Sequence, residues 1–98
     1  MEFDIVRYPF PLGHATYPRP CVIIDATTKD MLAITTKQYA KFNQFVLRHD
    51  HPDFAATRLK ETSYVIGDTI ARADPAVRLR MIGVIKGDLA TEFAKWIC

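Results

Sequence analysis

Only two cysteines occur in the chain, Cys21 inside an apolar run and Cys98 at the last position, and their spacing suits neither a disulfide framework nor a zinc site. A disulfide-stapled scaffold is therefore excluded, and a reducing compartment is expected. Glycine is also scarce: Gly13, Gly67, Gly83 and Gly87 are the four present, and no two of them make a nucleotide-binding loop. No residue set spells a serine or cysteine triad. No apolar run approaches the length needed to cross a bilayer, and Met1-Glu2-Phe3-Asp4 carries acids where a secretory signal would carry lysine or arginine. A soluble, cytoplasmic protein is expected. The net charge of +2 is too small to announce nucleic acid by itself. There is no internal repeat, low-complexity segment or linker, so residues 1–98 read as one domain. A chain this short leaves much of its surface in water, so a partner or second copy would add stability.

What remains is the composition of an ordinary globular protein, 49% hydrophobic and 24% charged. Residues 3–8, 21–25, 31–35, 44–48, 63–70 and 78–85 read as short strands. Each is rich in Val, Ile, Phe or Tyr and bounded by Pro, Gly, Asp or Lys-Asp turn signals. Lys29-Asp30 predicts a tight hairpin turn, and Pro52 to Arg58 a short helical turn opened by proline and Asp53. In the stretch 79–85, Leu79, Met81, Gly83 and Ile85 form one apolar face, with Gly83 marking a bend or bulge. One amphipathic helix is predicted at the end: Asp88 can cap it, and Leu89, Phe93, Trp96 and Ile97 share a stripe that should lie against the sheet. The class is mainly β with a C-terminal helix, as a small barrel or compact sheet.

Chemistry-bearing residues are few. In His49-Asp50-His51 the two imidazoles can share a face of an extended segment, yet two ligands without a third make a poor metal site. The segment reads as a solvated turn before Pro52. His14 follows Gly13 in a loop that leads to Tyr17-Pro18-Arg19-Pro20, where two prolines hold Arg19 on a stiff extended stem. From the residues alone, Arg19 serves equally as an ion-pair partner or as a phosphate ligand. Thr35 and Thr36 end an apolar run. Lys37, Tyr39, Lys41 and Phe42 follow it, and a basic loop interleaved with aromatics can hold phosphates and stack bases, or simply pack on the sheet. Lys37, Lys41, Arg48, Arg58 and Lys60 give this middle segment a mild basic bias against Asp50 and Asp53.

Taken in order, several stretches resemble the MazF/PemK family of toxin ribonucleases over nearly the whole chain. Asp4-Ile5-Val6-Arg7-Tyr8-Pro9-Phe10-Pro11 is similar to that family's first strand and loop. Arg19-Pro20-Cys21-Val22-Ile23-Ile24 resembles its Arg-Pro plus apolar strand, and Leu32-Ala33-Ile34-Thr35-Thr36 the strand that carries its active-site threonine. Phe54 through Val65, followed by Asp68, and Ile82-Gly83-Val84-Ile85 leading into the final helix are similar to its later segments. The resemblance implies an SH3-like barrel of the MazF/PemK/CcdB type and a homodimer. It implies the toxin of a type II toxin-antitoxin system: an endoribonuclease without metal or cofactor that cuts single-stranded RNA, mRNA included, and is silenced by a cognate antitoxin. It assigns catalysis to Arg19 and Thr35, with His14 matching an assisting histidine of the PemK branch and Asp68 an acid at that branch's active site. Thr36, Lys37, Tyr39 and Lys41 are the expected substrate contacts. Two departures stand out: Ile66 occupies the place of that branch's arginine, and His14-Ala15-Thr16 replaces the usual Ser-Glu or Glu-Gln element. The alternatives are a CcdB-like protein-binding inhibitor, for example of DNA gyrase, that uses Trp96-Ile97-Cys98, and a barrel that binds peptides.

Overall fold

The computed structural model describes residues 1–11 and 18–98. Among these residues seven strands are present: β1 (Phe3–Tyr8), β2 (Arg19–Asp25), β3 (Asp30–Thr35), β4 (Gln44–Leu47), β5 (Ser63–Ile66), β6 (Ala71–Arg72) and β7 (Arg80–Ile85). One helix, α1 (Gly87–Ile97), ends the chain, and a single 3-10 turn, Ala55–Thr57, precedes β5. All strand pairs are antiparallel, in the order β4-β5-β3-β2-β1-β7, with β6 pairing off this path to β3. The two ends of that order, β4 and β7, do not pair among the described residues. The sheet is therefore open where a closed SH3-like barrel is expected from the resemblance.

Strict alternation along β1, β2 and β3 gives the sheet two covered faces. On one face Ile5, Val22, Leu32, Ile34, Leu47 and Val65 form a core under Leu89, Ala90 and Phe93 of α1. Aromatic edges seal it: Phe93 meets Phe3 at 4.9 Å and Phe45 at 5.3 Å between ring centroids. On the other face Val6, Tyr8, Cys21, Ile23, Met31 and Ala33 make a smaller core covered by Phe10, Ala73 and Leu79. The Tyr8 hydroxyl accepts a bond from the Asp74 N–H at 2.8 Å and so anchors that cover. Arg72 ties it down from the other side, donating to Asp30 at 3.0 Å. That bond holds the Asp30 carboxyl below its ordinary range.

Local chemistry accounts for most boundaries. The Asp25 carboxylate accepts the N–H groups of Thr27 and Thr28, and Lys29 turns through φ 61° to bring the chain back as β3. The helix departs from expectation at its start. Lys86 is the cap residue, Asp88 lies inside the first turn, and no side chain of the cap itself accepts a bond. Asp53 acts from outside instead, its carboxylate lying against Gly87 and accepting the Leu89 N–H at 3.4 Å. The stretch 63–70 is shortened as well: β5 ends at Ile66, the chain bends at Asp68, and β6 begins only at Ala71. Gly67 lies under Trp96, where any Cβ would meet the indole at 2.8 Å. In β7 a bulge puts Gly83 opposite Ile5 and Met81 opposite Val6, so Met81 leaves the apolar face predicted for it and is 61% exposed.

Candidate functional site

β2 begins at Arg19 and β3 ends at Thr35, so these two residues lie at the same end of neighbouring strands. The pairing of Cys21 with Ala33, carried two residues outward, sets Arg19 opposite Thr35. Tyr8 pairs with Arg19, Thr35 with Tyr64, and Tyr64 with Val46. One row thus runs Tyr8, Arg19, Thr35, Tyr64, Val46 across five strands. By alternation it falls on the face of Cys21 and Ala33, beyond the edge of the smaller core. Arg19 and Thr35 are half-buried there. Cys21 is buried on the same face, and that burial pushes its thiol up to about 12 while the Arg19 charge pulls it the other way.

The Thr35 hydroxyl accepts the Lys37 N–H at 3.3 Å, which leaves its own proton free to donate. The following loop is held by Gln44, whose side chain accepts from Tyr39 N–H at 2.8 Å and donates to the Lys37 carbonyl at 3.1 Å. Tyr39 and Phe42 pack edge to face at 5.5 Å, and the Lys41 ammonium lies 5.0 Å from the Phe42 ring centre. In this loop Phe42 is half-buried and packs, while Lys37, Lys41 and Tyr39 stay exposed. Thr36 is exposed and lines a neighbouring cleft of about 320 Å³ together with Thr35.

Other expected residues are elsewhere. His14 lies outside the described residues. Asp68 follows the far end of β5, past Ile66, and its carboxylate accepts the Asn43 N–H at 2.7 Å, so the sheet register separates it from the Arg19 and Thr35 row. His49 Nδ1 bonds Thr62 Oγ1 at 2.8 Å on the surface. His51 is not a solvated turn residue. Its Nδ1 accepts the Asp53 N–H at 3.0 Å, which leaves Nε2 to donate to Glu92 at 3.1 Å, tying the turn to α1. Among the described residues no group of His, Cys, Asp and Glu could hold a metal ion. None of their helices is long and apolar enough to cross a membrane.

Three cations that border the cleft, Arg7, Arg58 and Lys60, were not singled out as site residues in the sequence. Arg58 and Lys60 contribute to the basic bias of the middle segment, and their alternation in Arg58-Leu59-Lys60 is the signal that could have found them. Tyr64, also missed, joins the row only through the β3–β5 pairing. Comparison with protein-family models, with curated proteins and with solved structures gives no match to this chain.

Proposed function

We propose that this chain is an endoribonuclease that cleaves single-stranded RNA by attack of the 2′-hydroxyl on the adjacent phosphate. It would do so in the manner of the MazF/PemK toxins that its sequence resembles. The observation that carries this reading is the row in which Arg19 falls opposite Thr35 on one sheet face. In such a cleavage the 2′-hydroxyl loses its proton, its oxygen bonds to phosphorus, and the 5′-oxygen departs with a proton. A 2′,3′-cyclic phosphate and a 5′-hydroxyl remain. Charge builds on the non-bridging oxygens in the transition state, and a guanidinium can donate to them in bidentate fashion. Arg19 takes that role, and Thr35 donates one further bond to the same phosphate. A group that keeps its proton is a poor base, so Arg19 acts through charge, and His14 is the shuttle that the resemblance offers. Lys37, Lys41 and Tyr39 would steer the flanking strand.

The same reading includes a homodimer, an antitoxin segment that folds over the Arg19 end, and an SH3-like fold as an opened variant. The edge of β7, unpaired among the described residues, and the exposed Met81 favour a second copy. A CcdB-like inhibitor is less well supported. Trp96, the residue that it would present, packs on Phe45 and Phe93 and donates its indole N–H to Asn43 at 3.3 Å. The test is to incubate purified protein with single-stranded RNA in EDTA and to identify the fragment ends. Cyclic phosphates and 5′-hydroxyls are expected, and intact RNA sinks the proposal.

A further inference from the structure

We propose that the cleft beside Thr35 binds a phosphodiester and base flanking the scissile position, with Arg58, Lys60 and Arg7 as its cations. The inference rests on the ribonuclease reading and adds a subsite to it. The cleft encloses about 320 Å³, within the range of small-ligand sites. Its floor is apolar, made by Pro20, Ile34, Leu59 and Ile82, and suits the face of a base. Its rim is basic, with Glu61 as the one acid.

Three observations point to an anion there. The ion pairs among the described residues engage Arg48, His51 and Arg72, and none engages Arg7, Arg58 or Lys60. Arg7 is registered directly opposite Arg80, a like-charge cross-strand pair that repels unless something negative lies between or beside the two. Arg58 adopts φ 61° and ψ 14° as it closes the 3-10 turn. Glycine meets that left-handed conformation without strain and arginine does not, so the chain bears a local cost to keep a guanidinium at the rim. Thr35 and Thr36 line the cleft where β3 ends, while Arg19 lies on the other sheet face, so a strand whose phosphate sits at Arg19 and Thr35 reaches the cleft by passing around that end of the sheet.

The experiment uses the Arg19→Ala protein, so that RNA is bound and not cut, and a fluorescein-labelled single-stranded RNA of mixed sequence read by anisotropy across a salt series. Arg58→Gly is expected to weaken binding about tenfold. It should leave the thermal midpoint equal or higher, because the strain is relieved. Arg58→Lys keeps the charge and should recover most of the affinity. The double variant Arg58→Gly with Lys60→Ala should lower the slope of log K against log salt by about 1.4 relative to the parent, about 0.7 for each charge removed. Unchanged affinity and slope in these variants, with RNA still cut by the wild type, overturn the subsite alone. Absence of RNA binding by the Arg19→Ala parent, together with no cleavage by the wild type, overturns the subsite and the ribonuclease reading together.

Discussion

The Thr57 carbonyl lies directly over Gly83, so close that a Cβ on Gly83 would stand 2.1 Å from its oxygen. That contact seats the Ala55–Thr57 turn on β7, and Thr57 itself is fully buried with its hydroxyl donating to the Phe54 carbonyl at 2.6 Å. The turn in turn aims Arg58, Leu59 and Lys60 at the cleft.

Gly83→Ala therefore has no flexible side chain to displace and must move backbone. A loss of about 1–3 kcal/mol is expected by chemical denaturation. The variant should also bind RNA more weakly, because the cleft loses one wall. Wild-type stability in Gly83→Ala would show that the turn lifts off β7 at no cost, against the packing described.

Arg19→Ala is expected to lower RNA cleavage about 100- to 1000-fold with little change in melting temperature, since the side chain stabilises charge and fills no core position. Arg19→Lys should restore little, as an ammonium lacks the planar fork. Thr35→Ala removes one neutral hydrogen bond and should cost about tenfold. Full activity in purified Arg19→Ala protein would remove the arginine from the mechanism.

Asp53→Ala should destabilise the fold by about 1 kcal/mol, because α1 then loses the carboxylate that stands in for a cap at Leu89 N–H. The Asp53 N–H to His51 Nδ1 bond is made by the backbone and survives this change. His51→Ala should cost a similar amount by freeing Glu92 and the turn together. Additive losses in the double variant would mean that the two ties act independently, and a smaller sum that they hold one unit.

How far the sequence carries depends on whether a feature is local. β1, β2 and β3 are legible because apolar β runs end at Pro9, at Pro20 and at the Lys29-Asp30 turn. The α1 stripe is legible because Leu89 and Phe93 keep helical spacing. The Arg19 and Thr35 pairing is legible only through a resemblance, since strand neighbours far apart in sequence leave no local mark. Features set by distant backbone are not readable: the Ile82 bulge that turns Met81 outward, the break at Gly67 imposed by Trp96, and the left-handed Arg58. Barrel closure is of the same kind, and here the sheet stays open because no described bond joins β4 to β7.

The last expectation concerns Cys21, which is fully buried with its Sγ 3.4 Å from the Arg19 carbonyl oxygen. Its folded thiol is pushed up to about 12 from an ordinary 9.0 by burial, with Arg19 opposing. Below pH 9 the proton stays on in both folded and unfolded chains, so this group's contribution is fully present. Between about 9 and 12 only the unfolded chain releases it, and stability should fall by up to about 1.4 kcal/mol per pH unit. The stability difference between wild type and Cys21→Ala, measured by urea denaturation, should therefore narrow across that window and be constant below it. At pH 8 a thiol reagent should label exposed Cys98 at once and Cys21 only in denaturant. Two equally fast thiols, or parallel stability curves from pH 8 to 12, would place Cys21 in water and take Arg19 off the face assigned to it.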